Sequence, residues 1–138
     1  MSDRKFLFEL FALNMETVNL EAVSVSLPIK YGVITVLPGH TPLITSLEMG
    51  IVLIKQENGE KKLIAVMGGI AQITQNKVEI YTNAYEEGLI PEGKEDFSEW
   101  KKEITYEKKQ DEEKIRFYLL KTIKKWKETH RIGSITGS

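Results

Sequence analysis

The residues best suited to proton transfer or metal binding are two histidines, His40 and His130. They lie far apart in the chain, and with no cysteine beside them they make a poor metal set. Glu112 and Glu113 have the types of an acid/base pair, but adjacent residues project from different faces of a helix. A solvated helix start accounts for them better. Gly68-Gly69 could serve a phosphate-binding turn, yet no helix follows to aim amide donors at a phosphate. A bend or bulge within a strand fits the pair better. The chain lacks G-x-x-x-x-G-K-[ST], H-E-x-x-H and G-x-S-x-G words. No catalytic, cofactor-binding or metal-ligating set emerges, which argues against an enzyme of recognised type.

Three features remain, and they point to docking. His40 sits in a stiff loop as an interface residue, or as a loop residue satisfied by local hydrogen bonds. Lys121, Lys124, Lys125, Lys127 and Arg131 form a basic face that meets an acidic partner or simply faces water. Its one-sidedness favours a partner, since ordinary exposed helices interleave both signs. Trp100 and Trp126 read as packing residues, with a partner anchor as the alternative.

The loop around His40 lies in P-I-K-Y-G-V-I-T-V-L-P-G-H-T-P, Pro28 to Pro42. Val33 to Leu37 reads as a strand. Pro38 and Pro42 each fix φ and remove a donor, and Gly39 between them is free to take positive φ. The surrounding body reads as β-structure, with strands expected at 6–12, 21–27, 33–37, 43–47, 51–56, 62–67, 70–74 and 78–82. Val23, Val25 and Leu27 alternate with polar residues. Ile51-Val52-Leu53-Ile54 is apolar on both faces and must be central or covered. Asn58-Gly59 predicts a two-residue type I′ hairpin, and Gln75-Asn76-Lys77 marks another tight turn. Strands this short and frequent favour a β-sandwich or flattened barrel.

The pattern changes after Tyr85. Gly88, Pro91 and Gly93 punctuate a linker, 88–95. Phe97, Trp100 and Ile104 then recur at helical spacing on a first helix of about 96–109. A second helix, about 112–131, carries Ile115, Tyr118, Leu119, Thr122, Ile123 and Trp126 on one face. The domain reading is therefore a β-sandwich over 1–87, a helical hairpin over 96–132 and a disordered tail at 133–138. The fold class is mainly β plus α: an N-terminal antiparallel β-sandwich followed by a two-helix antiparallel hairpin. The hairpin has too few apolar side chains to offset the entropy of ordering it. It is expected to be ordered only when docked, on its own body or on a partner, and is a candidate switch.

Composition sets further bounds. At 138 residues the chain is one domain with an appendage, and 41% apolar with 28% charged residues is ordinary for a globular protein. Net charge is −1, which gives no bulk field for nucleic acid or anionic lipid. The charge is segregated: residues 1–90 hold 10 acids and 7 bases, 91–113 hold 9 and 5, and 114–138 hold 1 and 7. Arg4 and Lys5 precede an apolar run, but Glu9 interrupts it and no small-residue cleavage site follows, unlike a signal peptide. No apolar stretch approaches the ~20 residues of a membrane span, so any work at a membrane would go through a partner.

Val36-Leu37-Pro38-Gly39-His40-Thr41-Pro42-Leu43, with Ala22-Val23-Ser24-Val25 before it, Asn58-Gly59-Glu60 and Gly68-Gly69-Ile70-Ala71 after it, and Asn76-Lys77-Val78 beyond, resembles the epsilon subunit of F-type ATP synthases. The resemblance covers nearly the whole chain in element order. It implies a non-catalytic rotor subunit that couples the catalytic head to the membrane ring and inhibits ATP hydrolysis through its C-terminal helices. The implied partners are the gamma subunit, the c-subunit ring and, transiently, the alpha/beta hexamer, with no nucleic acid. The implied location is peripheral, at the cytoplasmic face of a bacterial plasma membrane. His40, Thr41 and Pro42 would face gamma, and Tyr31, Gly32 and Val33 would lie nearest the ring. The basic face would meet an acidic loop of the beta subunits. A free-standing module whose basic helix binds an acidic protein or nucleic acid is the competing reading.

The sequence departs from the family pattern in places. Val33 stands where many relatives carry a glutamate toward the ring, and Thr35 where glycine is usual. Some relatives bind ATP through an Ile-Asp-x-x-Arg word, and here Ile90-Pro91-Glu92-Gly93-Lys94 occupies that place. Pro91 has no side-chain oxygen and Lys94 no planar fork, so weak or no ATP binding is expected.

Overall fold

A computed structural model of the chain describes residues 5–88 and 107–137, and within the latter segment the side chains of 112–129. β1 (Phe6–Ala12) shows how alternation builds the body: Phe6, Phe8 and Leu10 are buried, while Leu7, Glu9 and Phe11 face outward. It is followed by β2 (Val18–Ala22), β3 (Ser24–Ile29), β4 (Gly32–Val36), β5 (Leu43–Lys55), β6 (Lys61–Ile73), β7 (Lys77–Thr82) and β8 (Tyr85–Glu87). The strands pair in the order β2-β1-β7-β6-β5-β3-β4, with β8 on β6. All pairs are antiparallel but one, since β1 runs parallel to β7. The inward residues close over one core that includes Phe8, Leu10, Leu27, Ile54, Ile64 and Ile80. This is the expected β-sandwich.

Several expected strands fuse. The segments 43–47 and 51–56 are both part of β5, and 62–67 and 70–74 are both part of β6. These two thirteen-residue strands pair along their length. The expected strand 21–27 is instead two, parted at Val23, whose N–H donates to the Lys55 carbonyl at 2.8 Å. Gly68-Gly69 is the expected bend, with φ of +72° and +125°. Leu47 pairs with Gly69 and Met49 with Met67, so no residue is inserted and the strand bends without slipping register. Only glycine fits at 69, because a Cβ there would collide with the Tyr81 carbonyl oxygen.

The hairpin at Asn58-Gly59 forms, but not as type I′. Gln56 and Glu60 pair (N···O 2.9 Å), Gly59 N–H donates to Gln56 O at 3.0 Å, and Gly59 has φ +89° while Asn58 does not have positive φ. That is a three-residue loop with glycine in the left-handed position. The Asn58 side chain decides for it by accepting from Glu60 N–H and donating to the Glu60 carboxylate, both at 2.9 Å.

The described residues hold one helix, α1 (Glu107–Gly137). The turn expected near 110–111 is helical, because Glu107-Lys108-Lys109-Gln110-Asp111-Glu112-Glu113 contains no glycine or proline to end a helix. The helix also runs through 133–137, where a frayed tail was expected. The linker beyond Gly88 and residues 96–106 of the expected first helix, with Trp100, lie outside the described residues, so the two-helix hairpin is not observed among them.

Replacing Gly69 by alanine should lower stability by about 1–3 kcal/mol or more, since strain and collision add. Gly59→Ala, where a Cβ meets nothing within 4 Å, should cost only about 1 kcal/mol. Urea unfolding of the two variants checks the contrast.

Candidate functional site

The expected contact residues fall on two separate loops. Tyr31 lies in the two-residue β3–β4 turn, and Gly32 and Val33 open β4 beside it. Tyr31 is 90% and Val33 66% exposed, Gly32 has φ +141°, and the Lys30 amine sits 5.5 Å from the Tyr31 ring centroid. His40, Thr41 and Pro42 lie on the β4–β5 loop. Residues 34–39, the rest of β4 and the start of the next loop, separate the two groups along the chain. The structure does not merge them into one site.

The His40 loop is held by backbone bonds. Gly39 takes φ +80°, its N–H donates to Gln75 O at 3.2 Å, and His40 N–H donates to Leu37 O at 3.1 Å. His40 Nδ1 lies 2.6 Å from the Thr41 carbonyl. A carbonyl only accepts, so Nδ1 carries the proton. Local bonding therefore satisfies one ring nitrogen, and Nε2 has no protein partner among the described residues. Both readings of His40 keep a share: the loop fixes the ring, and one nitrogen is left to bind.

The outer faces of β5 and β6 carry the helix. Leu119 and Ile123 pack on Leu63 and Ala65, flanked by Met49, Ile51, Leu53, Ile115, Tyr118 and Trp126. This covers Ile51-Val52-Leu53-Ile54 on both sides, as its two apolar faces require. Trp126 is thus a packing residue. Gly88 N–H donates to Leu63 O at 2.7 Å, and a Cβ on Gly88 would collide with the Ile115 side chain.

Polar contacts at the rim pin α1. Lys61 Nζ donates to Glu112 at 3.0 Å, Arg116 lies 3.5 Å from Glu112, and the Tyr118 hydroxyl donates to Glu86 at 3.1 Å. The Lys61 hydrogen bond holds the Glu112 carboxyl below the usual glutamate range, against partial burial. Burial, then the Glu86 charge, pushes the Tyr118 hydroxyl up. Glu112 and Glu113 are therefore a helix-pinning residue and an exposed one, not a catalytic pair. On the opposite face Lys121, Lys124, Lys125 and Lys127 are exposed, with no ion pair among the described residues. Lys121 Nζ lies 5.2 Å from the Phe117 ring. The Arg131 side chain lies outside the described residues.

Sequence reasoning missed one surface. Ile70 pairs with Tyr81, and Tyr81 with Phe11, so these three side chains share a row on the outer face away from α1. Ile70 is 51% and Tyr81 45% exposed, and Ile44, one row over, is 68% exposed. The signal was present in β1, where Phe11 breaks the rule that outward positions are polar. The His130 side chain lies outside the described residues, and no group of three or more metal-ligating side chains occurs among the described ones.

The ATP synthase, Delta/Epsilon chain, beta-sandwich domain family matches residues 5–88, the whole described β-body. The chain belongs to this family. It is 40% identical over 81 residues to the ATP synthase epsilon chain of Synechococcus sp. (strain PCC 6716), covering 56% of this chain and 58% of that one. It is 43% identical over 82 residues to the chloroplastic epsilon chain of Huperzia lucidula, covering 57% and 59%. The matches thus span under two thirds of these relatives' length. The fold resembles a chain in the Euglena gracilis mitochondrial ATP synthase OSCP/F1/c-ring structure (TM-score 0.57, 22% identity, 61% of this chain and 54% of that one). It also resembles one in the Tetrahymena thermophila central stalk/c-ring structure (TM-score 0.50, 12% identity, 67% and 78%).

The stabilising share of Glu112 is complete above the ordinary glutamate value of 4.5 and is lost as pH falls through the lowered pKa. Trp126 fluorescence, in a Trp100→Phe background, should stay constant from about pH 7 to about pH 5 and report loosening of α1 in stronger acid. Lys61→Met should shrink that step, because the main partner that lowers the pKa is gone while Arg116 remains.

Proposed function

We propose that this chain is a non-catalytic rotor subunit of an F-type ATP synthase, with its β-body attached to gamma beside the c-ring and its helical arm restraining ATP hydrolysis. The family match over the entire β-body is the observation that carries this reading. The gamma contact is assigned to His40, Thr41 and Pro42 and the ring contact to Tyr31, Gly32 and Val33. Backbone bonds to Gln75 and Leu37 hold the β4–β5 loop, and the Ile29–Gly32 ladder pair closes the exposed β3–β4 turn. With Val33 beside the turn in place of the family's glutamate, the proposed ring contact does not depend on a carboxylate there. No described helix is long and apolar enough to cross a membrane, which accords with a peripheral subunit held by its partners. ATP is not expected to bind, given Pro91 and Lys94.

The inhibitory role rests on the free lysine face of α1. In the docked position that face points away from the β-body, so an acidic loop of the catalytic hexamer could capture it and draw the helix off. The same face is what favours the second reading, a free-standing module for an acidic protein. Purification separates the two: a rotor subunit co-elutes with a large ATPase and a free module does not.

Truncation at Gly88 would test the arm but would also uncover Leu63 and Ala65. A cleaner variant reverses Lys121, Lys124 and Lys125 to glutamate in the full chain, since all three are exposed. Reconstituted with the parent soluble ATPase, it should raise ATP hydrolysis about fivefold or more, the low end of typical coupling between sites. Equal rates with both chains bound would remove the inhibitory role.

A further inference from the structure

The loop between β5 and β6 brings together the parts of an intramolecular reaction. The chain holds Asn14, Asn19, Asn58, Asn76 and Asn83, and only Asn58 is followed by glycine. Asn58 and Gly59 are both exposed. Asn58 Oδ1 accepts from Glu60 N–H, and Asn58 Nδ2 donates to the Glu60 carboxylate, both at 2.9 Å. The first bond requires the side-chain amide to fold forward over the peptide that joins Asn58 to Gly59. That sets the amide carbon beside the Gly59 nitrogen. It also draws charge toward Oδ1, which opens the carbon to attack. Gly59 N–H donates to Gln56 O at 3.0 Å, so the Gly59 peptide is held in place. Gly59 itself adds no bulk, with φ +89° and open space where a Cβ would stand. The other asparagines precede Met15, Leu20, Lys77 and Ala84, each of which puts a Cβ near the nitrogen.

We propose that Asn58 is a self-modification site, at which the folded chain converts asparagine to aspartate and isoaspartate. The Gly59 nitrogen gives its proton to solvent base and bonds to the Asn58 amide carbon. The bond from that carbon to Nδ2 breaks, and the nitrogen leaves as ammonia with a proton from water. Nothing is oxidised or reduced. Water then opens the cyclic imide at either carbonyl, giving aspartate, or isoaspartate with the backbone routed through the former side chain. Holding the two reacting atoms together in the ground state is what lowers the barrier. Either product exchanges the Nδ2 donor for a carboxylate near that of Glu60, so a hydrogen bond becomes a repulsion. Isoaspartate also lengthens a loop that the bond from Gln56 N–H to Glu60 O closes. The loop lies between two ion pairs, Lys5–Glu57 at 3.4 Å and Lys61–Glu112 at 3.0 Å. Its loosening therefore reaches the start of β1 and the anchor of α1. The inference stands independently of the rotor-subunit reading.

The test holds the full-length chain in water enriched in heavy oxygen at mildly alkaline pH and maps the label by peptide mass spectrometry. An isoaspartyl O-methyltransferase with labelled S-adenosylmethionine scores the isoaspartate. Asn58 should take up label at least about tenfold faster than any other asparagine. Its rate in the folded chain should lie within about tenfold of the rate in strong urea, whereas reaction only through rare unfolding would be slower by about a thousandfold or more. Gly59→Ala, checked for folding by its melting curve, crowds the nitrogen and should cut the rate about tenfold. A folded-chain rate below that bound, or label led by another asparagine, overturns the inference. An unchanged rate in Gly59→Ala overturns the route through the Gly59 nitrogen. Asn58→Asp should melt a few degrees lower, and more so at low salt. An unchanged melting temperature overturns the loosening of the loop.

Discussion

Four consecutive buried residues on β6, Leu63-Ile64-Ala65-Val66, constrain everything around them. Successive side chains on a strand point to opposite faces, so such a run needs apolar cover on both. Ile64 and Val66 find it in the sandwich core, and Leu63 and Ala65 find it beneath α1. β5 obeys the same rule through Val52 and Ile54 on one face and Ile51 and Leu53 on the other. The helix is thus not an ornament at the end of the chain. It is the outer wall of the two longest strands.

The same two strands serve a second purpose beyond their bend. Past Gly68-Gly69, β6 leaves β8 and pairs with β7, and its outward side chains Ile70 and Gln72 emerge uncovered. One continuous strand therefore carries a face closed by the chain itself and a face open to others. The bend needs glycine at 69 because the backbone of β7 passes so close that no Cβ fits there, and Gly68 beside it takes φ +72°.

The contact between α1 and the body combines a small buried centre with a polar rim. Two side chains of the helix, Leu119 and Ile123, are fully buried, and the rim pairs through Glu112 and Glu86 are partly exposed. Exposed pairs of this kind contribute little each. Gly88, where the β-body ends, packs against Ile115 without room for a side chain, which lets the helix lie close. A seam held by a few buried side chains and a solvated rim is compatible with the proposed capture of the helix by another surface.

Much of this was legible from local pattern. Alternation located β1 and β7, Pro38-Gly39-His40 announced a tight loop with positive φ at its glycine, and Gly68-Gly69 announced a bend. The two-faced run at Ile51–Ile54 foretold a cover. Local pattern failed where a choice depended on distant residues. It split β5 and β6, because a bent strand pairing on two levels looks like two short ones. It placed a type I′ turn at Asn58-Gly59, where the Asn58 side chain bonds Glu60 and selects the three-residue loop. It put a turn at 110–111, although residues 107–113 have no helix breaker.

The sequence by itself thus determined which residues alternate, where the chain must turn, and that charge is segregated to the last helix, since each of these follows from neighbours along the chain. Only the tertiary structure decided that β1 lies parallel to β7, that Glu9 faces Glu79 beside Phe11 and Tyr81, and that α1 covers one end of the long strands and leaves the other bare. A period of two marks the faces of a strand, but which face meets which is fixed by pairing between segments some seventy residues apart, as Glu9 and Glu79 are.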